Sequence, residues 1–152
     1  MEHLVYCDAK AKVLEKILNG SKTMIVRGAA GRKLPHGRVF EGETLYFIEN
    51  NGSGLIKAKA VVKSVFNSEK MTEEESVALV AEKQAQLNLT EAQIKRWAGK
   101  KFLCLVELKD VQELQPLNFE RQNNMDDWIT VESITSVLEG SDKKYQSIRV
   151  GH

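Results

Sequence analysis

The run Phe102-Leu103-Cys104-Leu105-Val106-Glu107-Leu108-Lys109 is nearly continuously apolar. A strand with one wet face alternates apolar and polar side chains, whereas one that does not alternate is covered on both faces. This segment therefore predicts a strand in mid-sheet, with packed material above and below it. A chain of 152 residues can supply that material from one core, without disulfides or a metal to hold it.

The remaining elements read as strands and helices that could provide the cover. Residues 3–7 form a short opening strand, and Asp8 is placed to cap a helix whose apolar face is Val13, Leu14, Ile17 and Leu18, with Asn19-Gly20 as its stop. Thr23 to Arg27 is strand-like. Residues 43–49 and 55–66 predict a β-hairpin across Asn50-Asn51-Gly52-Ser53-Gly54. On its second strand Ile56, Ala58, Ala60 and Val62 alternate with Lys57, Lys59 and Lys63, so the lysines share the solvent face. Thr72-Glu73-Glu74-Glu75 and Thr90-Glu91-Ala92-Gln93 are capping boxes, opening helices that reach about Gln86 and Gly99. Near the end, Thr130 reads as the cap of a short helix with Ile134, Val137 and Leu138 as its apolar face and Gly140 as its stop. The expected class is α+β, a mixed β-barrel or sheet with flanking helices. The expected organisation is a domain over residues 1–112 and a C-terminal extension over 113–152 that packs on it and frays in its last dozen residues.

Several functional classes lose support. No segment approaches the roughly 20 apolar residues of a membrane-spanning helix. The opening Met1-Glu2-His3 lacks the basic start and cleavage site of a secretory leader, so a cytoplasmic protein is expected. Cys7 and Cys104 sit in separate strand-like runs and read as buried free thiols. His3, His36 and His152 are scattered, and no metal site follows from them. Residues 1–66 hold eleven Lys/Arg against six Asp/Glu, and the remainder eleven against fifteen, a basic half followed by an acidic one. The stretch Gly28 to Gly42, with four glycines, one proline and Arg32, Lys33 and Arg38, is the least core-like part of the basic half and a candidate binding element.

Gly20-Ser21-Lys22-Thr23-Met24-Ile25-Val26-Arg27 resembles the Gly-x-Lys-Thr-x-x-x-Arg signature of the ASCH domain family, within the PUA-like superfamily. The surrounding order is similar too: a preceding helix, a loop leading to Gly42-Glu43-Thr44-Leu45, a hairpin, helices and a closing apolar strand, together spanning roughly residues 3–112. The resemblance implies a PUA-like β-barrel with helices around a cleft that takes RNA or a modified nucleoside, without a cofactor. Some small bacterial members are amidohydrolases acting on N4-acetylcytidine. They use the motif lysine, a threonine two residues after the Lys-Thr pair, and a glutamate from a later helical region. Lys22 matches the lysine, but the threonine position is Ile25, and Ala85 or a neighbouring glutamine falls where the glutamate is expected. An enzyme of this kind would have to use Thr23, with Glu82 or Glu91 nearby.

Each candidate has a plain structural alternative. Lys22 is either a ligand-binding cation or a solvated lysine beyond a helix stop. Arg27 either clamps a phosphate or base edge or pairs with Glu41 or Glu43. Arg32, Lys33 and Arg38, with Lys57 and Lys59, either follow a nucleic-acid backbone or are solvated, the strand lysines guarding against edge-to-edge association. Among Tyr6, Phe40, Tyr46, Trp97 and Trp128, Trp97 reads as core and Trp128 as the exposed aromatic that could stack on a base. The leading expectation is a binding module for RNA or a modified nucleoside. The alternatives are an amidohydrolase or ribonuclease with Lys22 and Thr23 at its centre, and a protein-interaction domain.

Overall fold

The computed structural model describes residues 1–119 and 127–138. Six strands form one sheet: β1 (Glu2–Cys7), β2 (Met24–Ala29), β3 (Thr44–Glu49), β4 (Leu55–Asn67), β5 (Phe102–Asn118) and β6 (Trp128–Val131). Their spatial order is β2-β5-β4-β3-β1-β6. Every neighbouring pair is antiparallel except β1 with β3. The sheet curls into a half-barrel, an α+β fold.

The long β4–β5 ribbon drives the curl. Its register shifts between Ile56 and Ala58, between Lys59 and Val61, and between Val62 and Ser64. Such bulges bend a strand and increase its twist. The first lies opposite Pro116, which has no N–H for a ladder, and the second opposite Asp110, whose φ is +51°. β5 continues through residue 112, where the sequence suggested a boundary, and β6 adds to the same sheet.

The first half of β5, Phe102 to Leu108, is covered on both faces, as its composition requires. Cys104, Val106 and Leu108 join Val5, Phe47 and Ile25 inside the half-barrel, under α1 (Val13–Leu18). Leu103 and Leu105 meet Met24, Val26, Leu87 and Trp97 on the other side, beneath α2 (Glu73–Glu82), α3 (Gln84–Leu87) and α4 (Glu91–Trp97). Both predicted capping boxes are formed, at Thr72/Glu75 and Thr90/Gln93. The hairpin, its alternating face and the two buried free cysteines also match expectation.

Other expectations need correction. Asp8 accepts from the amides of Lys10 and Ala11 in a turn before α1, while Lys12, at φ +56°, precedes the helix. The helix is thereby shortened, and Leu18 at its end is 37% exposed rather than buried. The helix expected as far as Gln86 is interrupted at Lys83. Thr130 caps no helix: it lies in β6 opposite His3, and only a 3₁₀ turn over Ile134–Val137 follows, with Ile134 and Val137 buried. The suggested stop at Gly140 and the frayed end lie outside the described residues. The Gly28 to Gly42 stretch is anchored: Val39 is in the core, His36 Nε2 lies 2.8 Å from the Ser68 carbonyl, and Gly37 N–H donates to Asn67 Oδ1.

Candidate functional site

Curling brings β2, at one end of the sheet, towards β1, near the other end. Arg27 spans this seam. Its Nη2 donates to the Tyr6 carbonyl at 2.7 Å and its Nη1 to the Val26 carbonyl at 2.8 Å. Its guanidinium carbon lies 5.7 Å from the Trp97 ring centre and 5.9 Å from that of Trp128, so indoles from α4 and β6 flank it. Nε is enclosed and has no hydrogen-bond partner among the described residues. Neither carboxylate suggested as its partner pairs with it: Glu43 bonds His3 and the amino terminus, and Arg27 forms no ion pair among the described residues.

Lys22 leaves the end of α1 and turns inward. It is 3% exposed, and Nζ donates to the Leu87 carbonyl. Burial, with like-charge repulsion from Arg27 and Lys16, lowers its pKa to about 8, and the same burial pushes the neighbouring Cys7 thiol up to about 12. Lys22 is therefore a cation at neutral pH and Cys7 an un-ionised thiol. Lys22 has no ion-pair partner among the described residues, so two cations occupy the seam without a carboxylate bound to either.

Lys22, Arg27, Cys7, Ile25 and Gln93 line an enclosed chamber of about 50 Å³. Asp8, Arg96 and Asp127 also reach it. On the far side of Arg27 lies a more open groove of about 300 Å³, walled by Trp97, Trp128, Gly28 and Leu34 and bordered by Lys33, Arg96 and Lys100. Arg27, Arg96, Trp97 and Asp127 belong to both spaces, which identifies where they adjoin. Asp127 pairs with Arg96 at 2.9 Å.

The predicted residues thus separate. Lys22, Arg27 and Lys33 gather at the cleft. Thr23 is exposed and lines neither space, while Ile25 is a core residue with no hydroxyl to offer. Arg32 pairs with Glu69 at 3.2 Å and lies over Phe102. Arg38 is exposed away from both spaces. Lys57 pairs with Glu49 and Lys59 stands beside it on the outer face of β4, so neither borders the cleft. Glu82 and Glu91 are likewise absent from its lining.

Sequence reasoning missed Arg96, Lys100, Gln93 and the role of Trp128. Trp128 is 2% exposed, not the exposed aromatic expected, because β6 pairs with β1 and its Nε1–H donates to His3 Nδ1 at 3.0 Å. His3 Nε2 lies 2.8 Å from Glu43 Oε1. The signal for Arg96 and Lys100 was their position around Trp97, at the end of a helix with a clear capping box. Among the described residues no cluster of His, Cys, Asp or Glu could hold a metal, and no helix is long and apolar enough to cross a membrane.

No protein-family model matches the sequence, and no curated protein sequence matches it. Among solved structures, the chain is similar to the crystal structure of ASCH from Zymomonas mobilis, with a TM-score of 0.64 and 14% identity over 97% of this chain and 94% of that one. Two variants of the same Zymomonas mobilis protein, with a tyrosine changed to phenylalanine and a serine changed to alanine, give TM-scores of 0.65 and 0.64, again at 14% identity and 97% of this chain. The half-barrel has an ASCH-type fold, in agreement with the resemblance around Lys22.

Proposed function

We propose that the chain is a binding module that takes RNA or a modified nucleoside into the cleft between β2, β1 and α4. The observation that carries this reading is the pair of a buried Lys22 and a half-buried Arg27 at the seam of an ASCH-type fold, with no carboxylate bound to either among the described residues. A buried cation without a counter-ion costs stability, and an anionic or strongly polar ligand offsets that cost. Lys33, Arg96 and Lys100 extend the positive border outward, and Trp97 and Trp128 supply apolar walls suited to a base.

Binding is favoured over catalysis by the lining chemistry. An amidohydrolase of this family type needs a hydroxyl nucleophile, but Ile25 has none and Thr23 lies outside the cleft lining. No serine or threonine lines either space among the described residues. The Cys7 thiol, raised to about 12, is a poor nucleophile.

The test is a fluorescence titration of short labelled RNAs and modified nucleosides at two salt concentrations, with product formation followed in the same samples. Saturable, salt-sensitive binding that Lys22→Met weakens, without turnover, is the expected result. Turnover would replace the module with an enzyme, and absence of binding to every RNA and nucleoside would remove the reading.

A further inference from the structure

We infer that the enclosed chamber is a subsite for a terminal phosphate monoester, so that the ligand is a nucleotide or an RNA end with its nucleoside in the outer groove. This rests on the proposed function and names the part of the ligand that Lys22 and Arg27 receive.

Size separates the two spaces. A chamber of about 50 Å³ has room for a few water-sized groups and none for a nucleoside, since pockets that enclose drug-sized ligands begin at roughly 300 Å³. The groove, at about 300 Å³, reaches that scale. The two adjoin at Arg27, so a small group in the chamber and a ring in the groove could belong to one molecule.

Charge selects the small group. Lys22 spends one N–H on Leu87, and an ammonium has three. Arg27 spends one N–H on Tyr6 and one on Val26, and each terminal nitrogen keeps a second N–H. The N–H groups that these two cations keep suit an acceptor-only group. The two carboxylates at the chamber are already engaged, Asp127 with Arg96 and Asp8 with the amides of Lys10 and Ala11. With Arg96 paired to Asp127, Lys22 and Arg27 outweigh Asp8 at the chamber, a positive field that attracts a phosphate, and most strongly the charge of about −1.5 to −2 on a monoester at neutral pH. Geometry acts in the same direction: a terminal phosphate needs one exit for its ester arm, whereas an internal diester needs two.

The experiment is competition against a labelled RNA by uridine, uridine 5′-monophosphate, uridine 3′-monophosphate and inorganic phosphate, joined by direct titration of one oligonucleotide with and without an end phosphate. Wild type, Lys22→Met and Lys33→Ala/Lys100→Ala are compared, with a melting curve for each to establish folding. The expected result is that one monophosphate binds at least tenfold more tightly than uridine, that the end phosphate strengthens the oligonucleotide similarly, and that Lys22→Met abolishes both differences. Lys33→Ala/Lys100→Ala should weaken all nucleic-acid ligands alike and keep the differences. Equal binding of uridine and both monophosphates, or a preference that survives in folded Lys22→Met, overturns the inference while leaving the cleft a nucleoside site. Inorganic phosphate competing as well as the monophosphates overturns the nucleotide assignment. Failure of every RNA and nucleoside ligand removes the functional reading itself.

Discussion

Arg27 Nη2 donates to the carbonyl of Tyr6 at 2.7 Å across the seam between β2 and β1, two strands separated in the sheet by β5, β4 and β3. A single side chain therefore both fastens the curled sheet and presents a cation to the cleft. Arg27→Met should remove the donor from two carbonyls, at a cost of about 2–6 kcal/mol, since each buried acceptor left unsatisfied costs about 1–3 kcal/mol. Arg27→Lys should restore little, because one ammonium cannot reproduce a planar fork between two indoles. Chemical denaturation of the three proteins measures this, and a fully stable Arg27→Lys would contradict it.

Lys22 should behave in the opposite way. Its shift from 10.5 to about 8 corresponds to a charge-burial cost of about 3 kcal/mol. Lys22→Met relieves that cost and leaves the Leu87 carbonyl without its donor, a loss of about 1–3 kcal/mol, so the variant should be at least as stable as wild type at pH 7, by up to about 2 kcal/mol. Between pH 8 and 10.5 the unfolded chain holds more protons on this lysine than the folded one. Wild-type stability should therefore gain on that of Lys22→Met as pH rises through this window, closing the gap. Denaturation midpoints at about pH 7 and about pH 10 for both proteins test the sign.

His3 predicts an acid-side effect. Trp128 Nε1–H points at its Nδ1, so the ring proton sits on Nε2 and faces Glu43. Burial lowers the His3 pKa despite the favourable pull of Glu43, with the amino terminus adding to the lowering and Glu2 opposing it. A histidine neutral in the fold contributes stability that is complete above pH 6.5 and is lost as pH falls through its lower folded value. Stability measured from about pH 7.5 to about 5 should decline, and His3→Gln should flatten that decline. Glu43, also lowered, acts in a separate window below 4.5.

The cleft cations should differ from the strand lysines. Lys33→Ala/Lys100→Ala should reduce RNA affinity and lower the salt slope by about 0.7 for each phosphate that is no longer neutralised. Lys57→Ala/Lys59→Ala should leave both unchanged, because these residues lie on the outer face of β4. Titration at several salt concentrations distinguishes the pairs.

Gly28 is held by a close approach. A Cβ there would fall 2.6 Å from Leu103 Cδ2 and 3.0 Å from the Phe102 carbonyl oxygen. The oxygen belongs to the paired strand and cannot move aside freely, so Gly28→Ala should destabilise by about 1–3 kcal/mol, as overpacking does. A melting curve checks it, and an unchanged midpoint would show that β2 shifts without cost.

The elements legible in the sequence are those specified by neighbours along the chain. The nearly continuous apolar run at 102–108, the alternation at 56–62 and the reciprocal caps at Thr72/Glu75 and Thr90/Gln93 each rest on a period or a local hydrogen bond, and each matches the structure. The motif around Lys22 and Arg27 pointed to two residues that meet at the cleft. Local reasoning failed where a distant partner decides: Trp128, among polar neighbours in the chain, is buried because β6 pairs with β1 and His3 accepts its N–H.

The amino-acid order by itself thus determined an α+β chain with a strand doubly covered over its apolar first half, a lysine-bearing hairpin and two capped helices, since hydrophobic period and capping act within a few residues. Tertiary structure alone decided which cations share the cleft. Curling of the sheet through the β4–β5 bulges carries Arg27 to Tyr6, leaves Lys57 and Lys59 outside, and sets Arg96 and Lys100 beside Lys33. Those distances depend on how strands far apart in sequence meet, which no local pattern encodes.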